Sequence, residues 1–365
     1  MDLKKWQNVL VVQTSFLGDT VLTLPLLNEI KRRFPATRLS LLCTPRGREL
    51  LQDHVAVDEI LVDDKKGLGK GWLGLWRQAR LLRQKRFTMA ISPHKSLRSA
   101  LLLFFARIPQ RVGFSQSKGW FLYNRRTKRS AKAHDVDRTL SILRVFGIQL
   151  QDCERRFGLP TKPEFQESVT EIFRSRGIHT TRPVMGVNPG SVWPTKRWLP
   201  EGFAQTIELL KQKYDCDVVL FGGPDDAAVA KNIDGLCGGA AVNLAGRLSL
   251  RELPVAIGRC SLFITNDSGP MHIAVAQGVP TVSIFCATTP SLGFYPYSSR
   301  AIVLEKALPC RPCSSHGGRR CPLGTEDCIR LITPEHVIQA VDKLLRGGEP
   351  RANPSNGFVP EFMVV

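Results

Sequence analysis

Short runs of β-branched and other apolar residues alternate along the chain with longer stretches whose apolar positions recur at helical spacing. In the first half, 8–13 (NVLVVQ), 38–44 (RLSLLCT), 58–64 (DEILVDD) and 87–93 (FTMAISP) read as strands. Between them, 20–34, 46–52 and a basic stretch at 72–86 read as helices, and 96–108 follows as another. This β-α-β-α-β-α-β order predicts a parallel sheet with right-handed crossovers. A polar, proline-bearing segment at 158–166 leads to one helix, and after 179–183 the alternation restarts. Strands are expected at 184–190, 217–223, 241–246 and 261–265, with helices at 200–214, 225–234 and 249–260. A last helix, 333–345, opens with Thr333 as N-cap, Pro334 and Glu335. The pattern therefore predicts an α/β protein of two consecutive doubly wound halves. These span 1–165 and 183–346, joined by a linker region at 166–182. The Gly/Pro/Asn-rich tail, 347–365, is expected to be disordered.

A length of 365 residues agrees with two domains, and 43% hydrophobic and 23% charged residues are ordinary for a globular chain. The strongest apolar run, ALLLFFA at 100–106, is cut by Arg107 and is too short to span a bilayer. The basic start has only four consecutive apolar residues after it, too few for a signal-peptide core, so a cytosolic protein is expected.

Charge changes the picture. Residues 1–165 hold 31 Lys+Arg against 14 Asp+Glu, whereas the remaining 200 hold 20 against 18. Residues 65–134 contain 18 bases and no acid. Scattered lysines usually mean only a solvated surface, but seventy acid-free residues point to a polyanionic partner: nucleic acid, or an anionic membrane surface or glycolipid. No RNA-binding motif accompanies these bases, which disfavours nucleic acid.

Six of the ten cysteines sit singly in apolar contexts and read as reduced, buried thiols. The other four, Cys310, Cys313, Cys321 and Cys328, cluster. The leading C-x-x-C resembles half a zinc knuckle, but the x6 spacing of the second pair fits poorly. A structural zinc, a disulfide staple and no bond at all stay open.

In open parallel sheets, ligands sit on the strand-to-helix loops. The stretch TNDSGPMHIAVAQGVPT at 265–281 places Asp267, Ser268 and Gly269 there, ahead of Pro270 opening a short helix of small residues. Small side chains let the backbone approach a ligand, and the helix start offers N–H groups to a phosphate. A plain turn-and-cap role explains the same residues equally well. NPGSVWPTKRW at 188–198 offers Gly190 and Ser191 for close approach, then Thr195 and Lys196, a counter-charge for a diphosphate leaving group. In QTSFLGDT at 13–20, Asp19 stands beside Gly18, where a helix N-cap is the simpler reading. No G-x-G-x-x-G follows the first strand, and neither a P-loop nor a nucleophile elbow occurs.

Together, TSFLGDTVLTLPLL, NPGSVWPTKRWLP and TNDSGPMHIAVAQGVPTVSIF resemble the ADP-heptose:lipopolysaccharide heptosyltransferases over about residues 8–345. CPLGTEDCIRLITPEHV is similar to the C-terminal segment of the second heptosyltransferase of that pathway. The resemblance implies a GT-B fold, two Rossmann-like domains facing across a cleft, with acceptor on the first and nucleotide-sugar on the second. It implies an inverting transfer of heptose from ADP-heptose to a Kdo/heptose-lipid A acceptor, at the inner face of the inner membrane. Such an enzyme is cytoplasmic, peripheral on an anionic surface, and needs no cofactor or metal. Asp19 matches the family's general base. Ser191, Lys196, Ser268 and Gly269 match diphosphate-binding positions, and Asp267 and His272 match residues that face the donor sugar. Arg125 and Arg138 match an acceptor loop at 123–138, where His134 reads as structural; Asn243 is a weak match for a ribose contact. A different nucleotide-sugar, or a later heptose position, is the alternative within the class.

Overall fold

The computed structural model describes residues 6–67, 69–178, 181–346 and 359–365. The chain divides into two compact units, Met1–Pro160 and Thr161–Val365.

Unit 1 runs β1 (Asn8–Gln13), α1 (Leu17–Leu22), α2 (Leu24–Arg33), β2 (Arg38–Cys43), α3 (Pro45–Leu51), β3 (Glu59–Val62), α4 (Gly71–Gln84), β4 (Met89–Ile91), α5 (Leu97–Phe105), β5 (Gln110–Phe114), β6 (Arg125–Thr127) and α6 (Asp135–Leu140). Its sheet has the order β3-β2-β1-β4-β5-β6, every pair parallel. The apolar runs of β1 and β2 are buried because helices cover both faces of a parallel sheet. Leu10, Val12, Leu75, Leu82 and Leu103 join sheet and helices in one core.

Unit 2 runs α7 (Pro163–Ser175), β7 (Val184–Asn188), α8 (Pro200–Lys213), β8 (Asp217–Leu220), α9 (Ala227–Leu236), β9 (Val242–Asn243), α10 (Leu253–Gly258), β10 (Leu262–Asn266), α11 (Gly269–Ala276), β11 (Thr281–Phe285), β12 (Ala301–Glu305), α12 (Asp327–Arg330), α13 (Pro334–Arg346) and β13 (Glu361–Val364). The sheet order is β13-β12-β11-β10-β7-β8-β9. Its core is centred on Phe203, Ile207, Ile264 and Ile284, each worth about 1.5–3 kcal/mol through burial.

In both sheets the strand order reverses beside the first strand, between β1 and β4 and between β10 and β7. At such a point neighbouring strand-to-helix loops diverge and leave a crevice. Asp19 follows β1; the loops of Ser191/Lys196 and of Asp267/Ser268 follow β7 and β10.

The structure corrects the expected outline in three places. The expected linker, 166–182, lies largely within α7, which buries Val169 and Phe173 and belongs to unit 2. Ser168 on this helix donates to Glu252 at 2.6 Å and Arg259 lies over Phe173, so side-chain contacts hold what the proline-bearing sequence made look loose. Of the tail, 347–358 falls outside the described residues, but 361–364 adds β13 to the edge of the sheet rather than being disordered, in register with Ile302 to Glu305. Finally, α1 begins at Leu17, so Asp19 lies inside the first turn and not ahead of it.

Candidate active site

Asn188 and Thr265 pair across β7 and β10, which brings the two following loops together. The Asn188 amide donates to Ser268 Oγ, Thr265 Oγ1 and the Gly190 carbonyl, each at 3.3 Å. Asn266 fixes the same pair of loops from within: its amide donates to the Pro189 carbonyl at 2.7 Å, and its oxygen accepts the Trp198 N–H at 3.0 Å. Both asparagines are buried, so these bonds form where water does not compete.

On this frame Lys196 Nζ meets Asp267 Oδ2 at 2.6 Å, and Thr288 Oγ1, beyond β11, donates to the same oxygen at 2.7 Å. Ser191 Oγ donates to the Asp267 carbonyl at 3.4 Å, and Arg197 Nε holds the Ser191 carbonyl at 2.7 Å. The sequence-predicted Ser191, Lys196, Asp267 and Ser268 are thus linked by hydrogen bonds and an ion pair. Ser268 is the N-cap residue of α11, but its hydroxyl makes no cap bond and is turned to Asn188 and Thr265. The Ser268 side chain therefore satisfies none of the first-turn N–H groups of α11. His272, one turn further on, is buried. Burial pushes its pKa down to about 4; Lys196 adds to the shift and Asp267 opposes it, so the imidazole is neutral at pH 7. Its Nδ1 has no partner among the described residues.

Asn188, Asn266, Thr288 and Asp226 contribute to this site without having been singled out in the sequence. A Cβ on Gly190 would stand 2.4 Å from the Asp226 carboxyl carbon, so the turn needs glycine for close packing. Asp226 also accepts the Gly223 N–H at 3.0 Å within the loop after β8 and meets Arg197, on the loop after β7, at 4.0 Å. Asn243, the ribose candidate, spends its side-chain oxygen on the Ala245 N–H at 3.0 Å.

The four-cysteine segment packs on the lysine loop. Gly318 N–H donates to Thr195 Oγ1 at 2.8 Å and its carbonyl accepts Thr195 N–H at 3.2 Å. Gly317, at φ +86°, passes so close that a Cβ would lie 2.8 Å from Lys196 Cγ. Arg311, nearly fully buried, anchors the start of the segment: it donates to the carbonyls of Phe285 at 2.8 Å and Thr288 at 2.5 Å and pairs with Glu305 at 3.1 Å. Cys310, Cys313, Cys321 and Cys328 are free thiols. Among the described residues no group of three or more His, Cys, Asp or Glu is arranged to hold a metal ion. Backbone and arginine contacts hold the segment in place.

In unit 1 the Asp19 carboxylate accepts the Phe16 N–H at 3.1 Å, closing the first turn of α1. It is partly exposed, at the carboxyl end of β1. Lys65 Nζ reaches across from beyond β3 to the Thr14 carbonyl at 2.8 Å. Past β4, His94 Nε2 meets Ser99 Oγ at 3.2 Å; burial, with Lys65 adding to it, pushes its pKa down to about 4. The pKa of Lys95 is lowered, first by burial and then by Arg129 and Arg138. The Asp135 carboxylate partly offsets these bases, pairing with Arg129 and lying 3.9 Å from Arg138. Arg125 lies on edge strand β6, half-buried. Arg138 points inward, its Nε on the Ser130 carbonyl at 3.1 Å and its guanidinium also on Ala131, where it shapes the loop. His134 caps α6, accepting the Val136 N–H at 3.2 Å.

Residues 75–322 match the family model of glycosyltransferase family 9 (heptosyltransferase). The chain is 28% identical to lipopolysaccharide heptosyltransferase 2 of Salmonella typhimurium over 92% of its length and 98% of that protein's. Among solved structures, a family 9 glycosyl transferase from Veillonella parvula superposes with a TM-score of 0.82 at 26% identity, covering 93% of this chain and 97% of that one. ADP-heptose LPS heptosyltransferase II of E. coli gives a TM-score of 0.75 at 25% identity, covering 93% and 98%. Two parallel α/β sheets, each with its loops gathered at a reversal of strand order, are the GT-B organisation of these relatives. With the match extending over most of the sequence, the chain belongs to glycosyltransferase family 9, the heptosyltransferases.

Proposed function

We propose that this glycosyltransferase moves a heptose from ADP-heptose to a hydroxyl of a Kdo/heptose-lipid A acceptor of the lipopolysaccharide inner core, inverting the anomeric centre. The observation that carries the reading is the bonded set Ser191–Asp267–Lys196 beside the uncapped start of α11. A lysine and helix-start N–H groups at one place suit a departing diphosphate, which gains negative charge as the bond to the sugar breaks. Unit 2 is accordingly the donor domain and unit 1 the acceptor domain.

In the displacement, the acceptor O–H bond breaks as its oxygen bonds to the anomeric carbon, and the bond from that carbon to the phosphate oxygen breaks, releasing ADP. Asp19 takes the acceptor proton. Its carboxylate already accepts one backbone N–H on one oxygen, which fixes its direction for general-base work. Lys196, Ser191, Ser268 and the Gly269 N–H hold the diphosphate. Asp267 orients Lys196 and, with neutral His272, faces the sugar. Lys95, Arg129 and Arg125 supply positive charge for acceptor carboxylates or phosphates, while Arg138 keeps their loop in shape.

No helix among the described residues is long and apolar enough to cross a membrane. The acceptor reading and the excess of positive charge in the first 165 residues support peripheral association with an anionic membrane surface on the cytoplasmic side.

The test is ADP release from ADP-heptose with acceptors bearing zero, one and two heptoses. Turnover with one of the three supports the reading and fixes the position added. Release only with another nucleotide-sugar, or none with any of the three acceptors, overturns it.

A further inference from the structure

Unit 1 carries an exposed aromatic face that the transfer chemistry does not use. Trp72 (55%), Leu73 (82%), Trp76 (49%) and Phe104 (46%) project from α4 and the end of α5. Helix α4 already buries Leu75, Ala79 and Leu82 on its inner side, so this outer row serves no core. Trp76 stacks on Phe105 at 4.9 Å between centroids, and Trp72 meets the same ring edge-on at 5.6 Å. Arg111 lies over Phe104 at 5.6 Å and donates Nε–H to the Leu122 carbonyl at 2.8 Å. That contact carries the face on to Trp120 and Phe121, themselves exposed, where Arg126 covers Trp120 at 5.0 Å. Trp76, Phe104 and Phe105, with Arg83, Arg107 and Arg111, line a concavity of about 480 Å³. All of this lies within the acid-free 65–134 segment.

We propose that this face docks the enzyme on an anionic phospholipid bilayer, with Trp72, Leu73, Trp76 and Phe104 seated at headgroup level and Arg83 and Arg107 on lipid phosphates. Amphipathic aromatic rings settle at the membrane interface, and cations add attraction to anionic lipid. Single-stranded nucleic acid stacks its bases on open ring faces. Here one face of Phe105 is taken by Trp76 and one of Phe104 by Arg111, so these two rings are partly covered already. A second copy of the chain is disfavoured too, because a two-fold contact would set like charge against like. The proposal rests on the reading of the acceptor as a membrane-borne glycolipid.

The experiment is co-sedimentation of the full chain with phosphatidylglycerol and with phosphatidylcholine vesicles, repeated for Trp72→Ser/Trp76→Ser and for Arg83→Ala/Arg107→Ala. Turnover is followed in parallel on a deacylated, soluble acceptor. The wild type is expected on phosphatidylglycerol, with a blue shift of tryptophan emission, and on phosphatidylcholine far more weakly. Each double variant is expected to lose about tenfold or more of this binding while keeping wild-type turnover on the soluble acceptor and an unchanged Tm. Unaltered vesicle binding by both variants overturns the proposal. So does a wild type that ignores vesicles but binds RNA, or that dimerises through these tryptophans. Failure of soluble-acceptor turnover in a wild type that binds vesicles would instead count against the transferase reading.

Discussion

One carboxylate oxygen of Asp267 receives both Lys196 at 2.6 Å and Thr288 at 2.7 Å, so protein groups alone set the lysine's direction. Preorganised charge of this kind typically supplies two to three orders of magnitude, and Lys196→Ala is expected to lower kcat/KM by about 10²–10³. Steady-state kinetics check this; a loss under about threefold would remove Lys196 from the leaving-group role. The histidines give a stability prediction. His94 and His272 are pushed to about 4 by burial, and both are neutral in the fold at pH 7. Since unfolded histidine titrates near 6.5, the unfolded chain takes up protons first. Stability is unaffected by these groups above about pH 6.5 and is lost as pH falls from there towards 4, by on the order of 3 kcal/mol each. Denaturant titrations at pH 7 and pH 4.5 should show a smaller difference for His272→Gln, whose amide does not charge, than for the wild type; an equal difference contradicts a neutral buried His272. The residues that touch the donor in this reading were legible because small and charged side chains stand out on a strand-to-helix loop. Asn188, Asn266, Thr288 and Asp226 were not. Their work depends on strands far apart in sequence lying side by side, and nothing in local spacing announces it.

Two elements act on the site or the sheet from a distance in sequence. The segment around Gly317 and Gly318 braces the Lys196 loop, and Gly317 has both a left-handed backbone and no room for a Cβ. Gly317→Ala is expected to destabilise unit 2 by about 1 kcal/mol or more and to reduce kcat/KM by displacing the lysine stem. Thermal melts and kinetics on the same sample test it, and wild-type values in both would show that the brace is not needed. At the other end, β13 covers the edge of β12, and Lys343 reaches Glu361 from α13. Truncation after Arg346 should lower Tm by a few degrees, the shift about 1–2 kcal/mol produces in a domain of this size; an unchanged Tm would make the strand dispensable. Alternation of apolar runs located β1 to β4 and β7 to β10 and the helices between them, but no strand was expected at β11 or β12. It missed β5 and β6, whose QRVGF and RRT carry bases because they approach the half-exposed edge of the sheet. It missed β13 because a Gly/Pro-rich approach hides a short pairing strand.

At the scale of the chain, the charge imbalance and the two strand-order reversals support one division of labour. The basic unit 1 offers Asp19 and Lys95 beyond the carboxyl ends of its central strands β1 and β4, with Arg129 following edge strand β6, and unit 2 offers the lysine and helix start that suit a diphosphate. The doubly wound architecture and its repetition were readable from pattern alone. The boundary at Pro160–Thr161 was not, since α7 follows a proline-bearing stretch yet packs as the first helix of unit 2. The central claim is that a base in unit 1 acts on a sugar diphosphate held by unit 2. Its most direct measurement pairs single-turnover transfer with ADP-heptose affinity in Asp19→Asn. The account predicts transfer slowed by about 10²–10⁴ with donor affinity within about twofold of wild type, since Asn keeps the shape and loses only the proton acceptor. Transfer at the wild-type rate in that variant would contradict it.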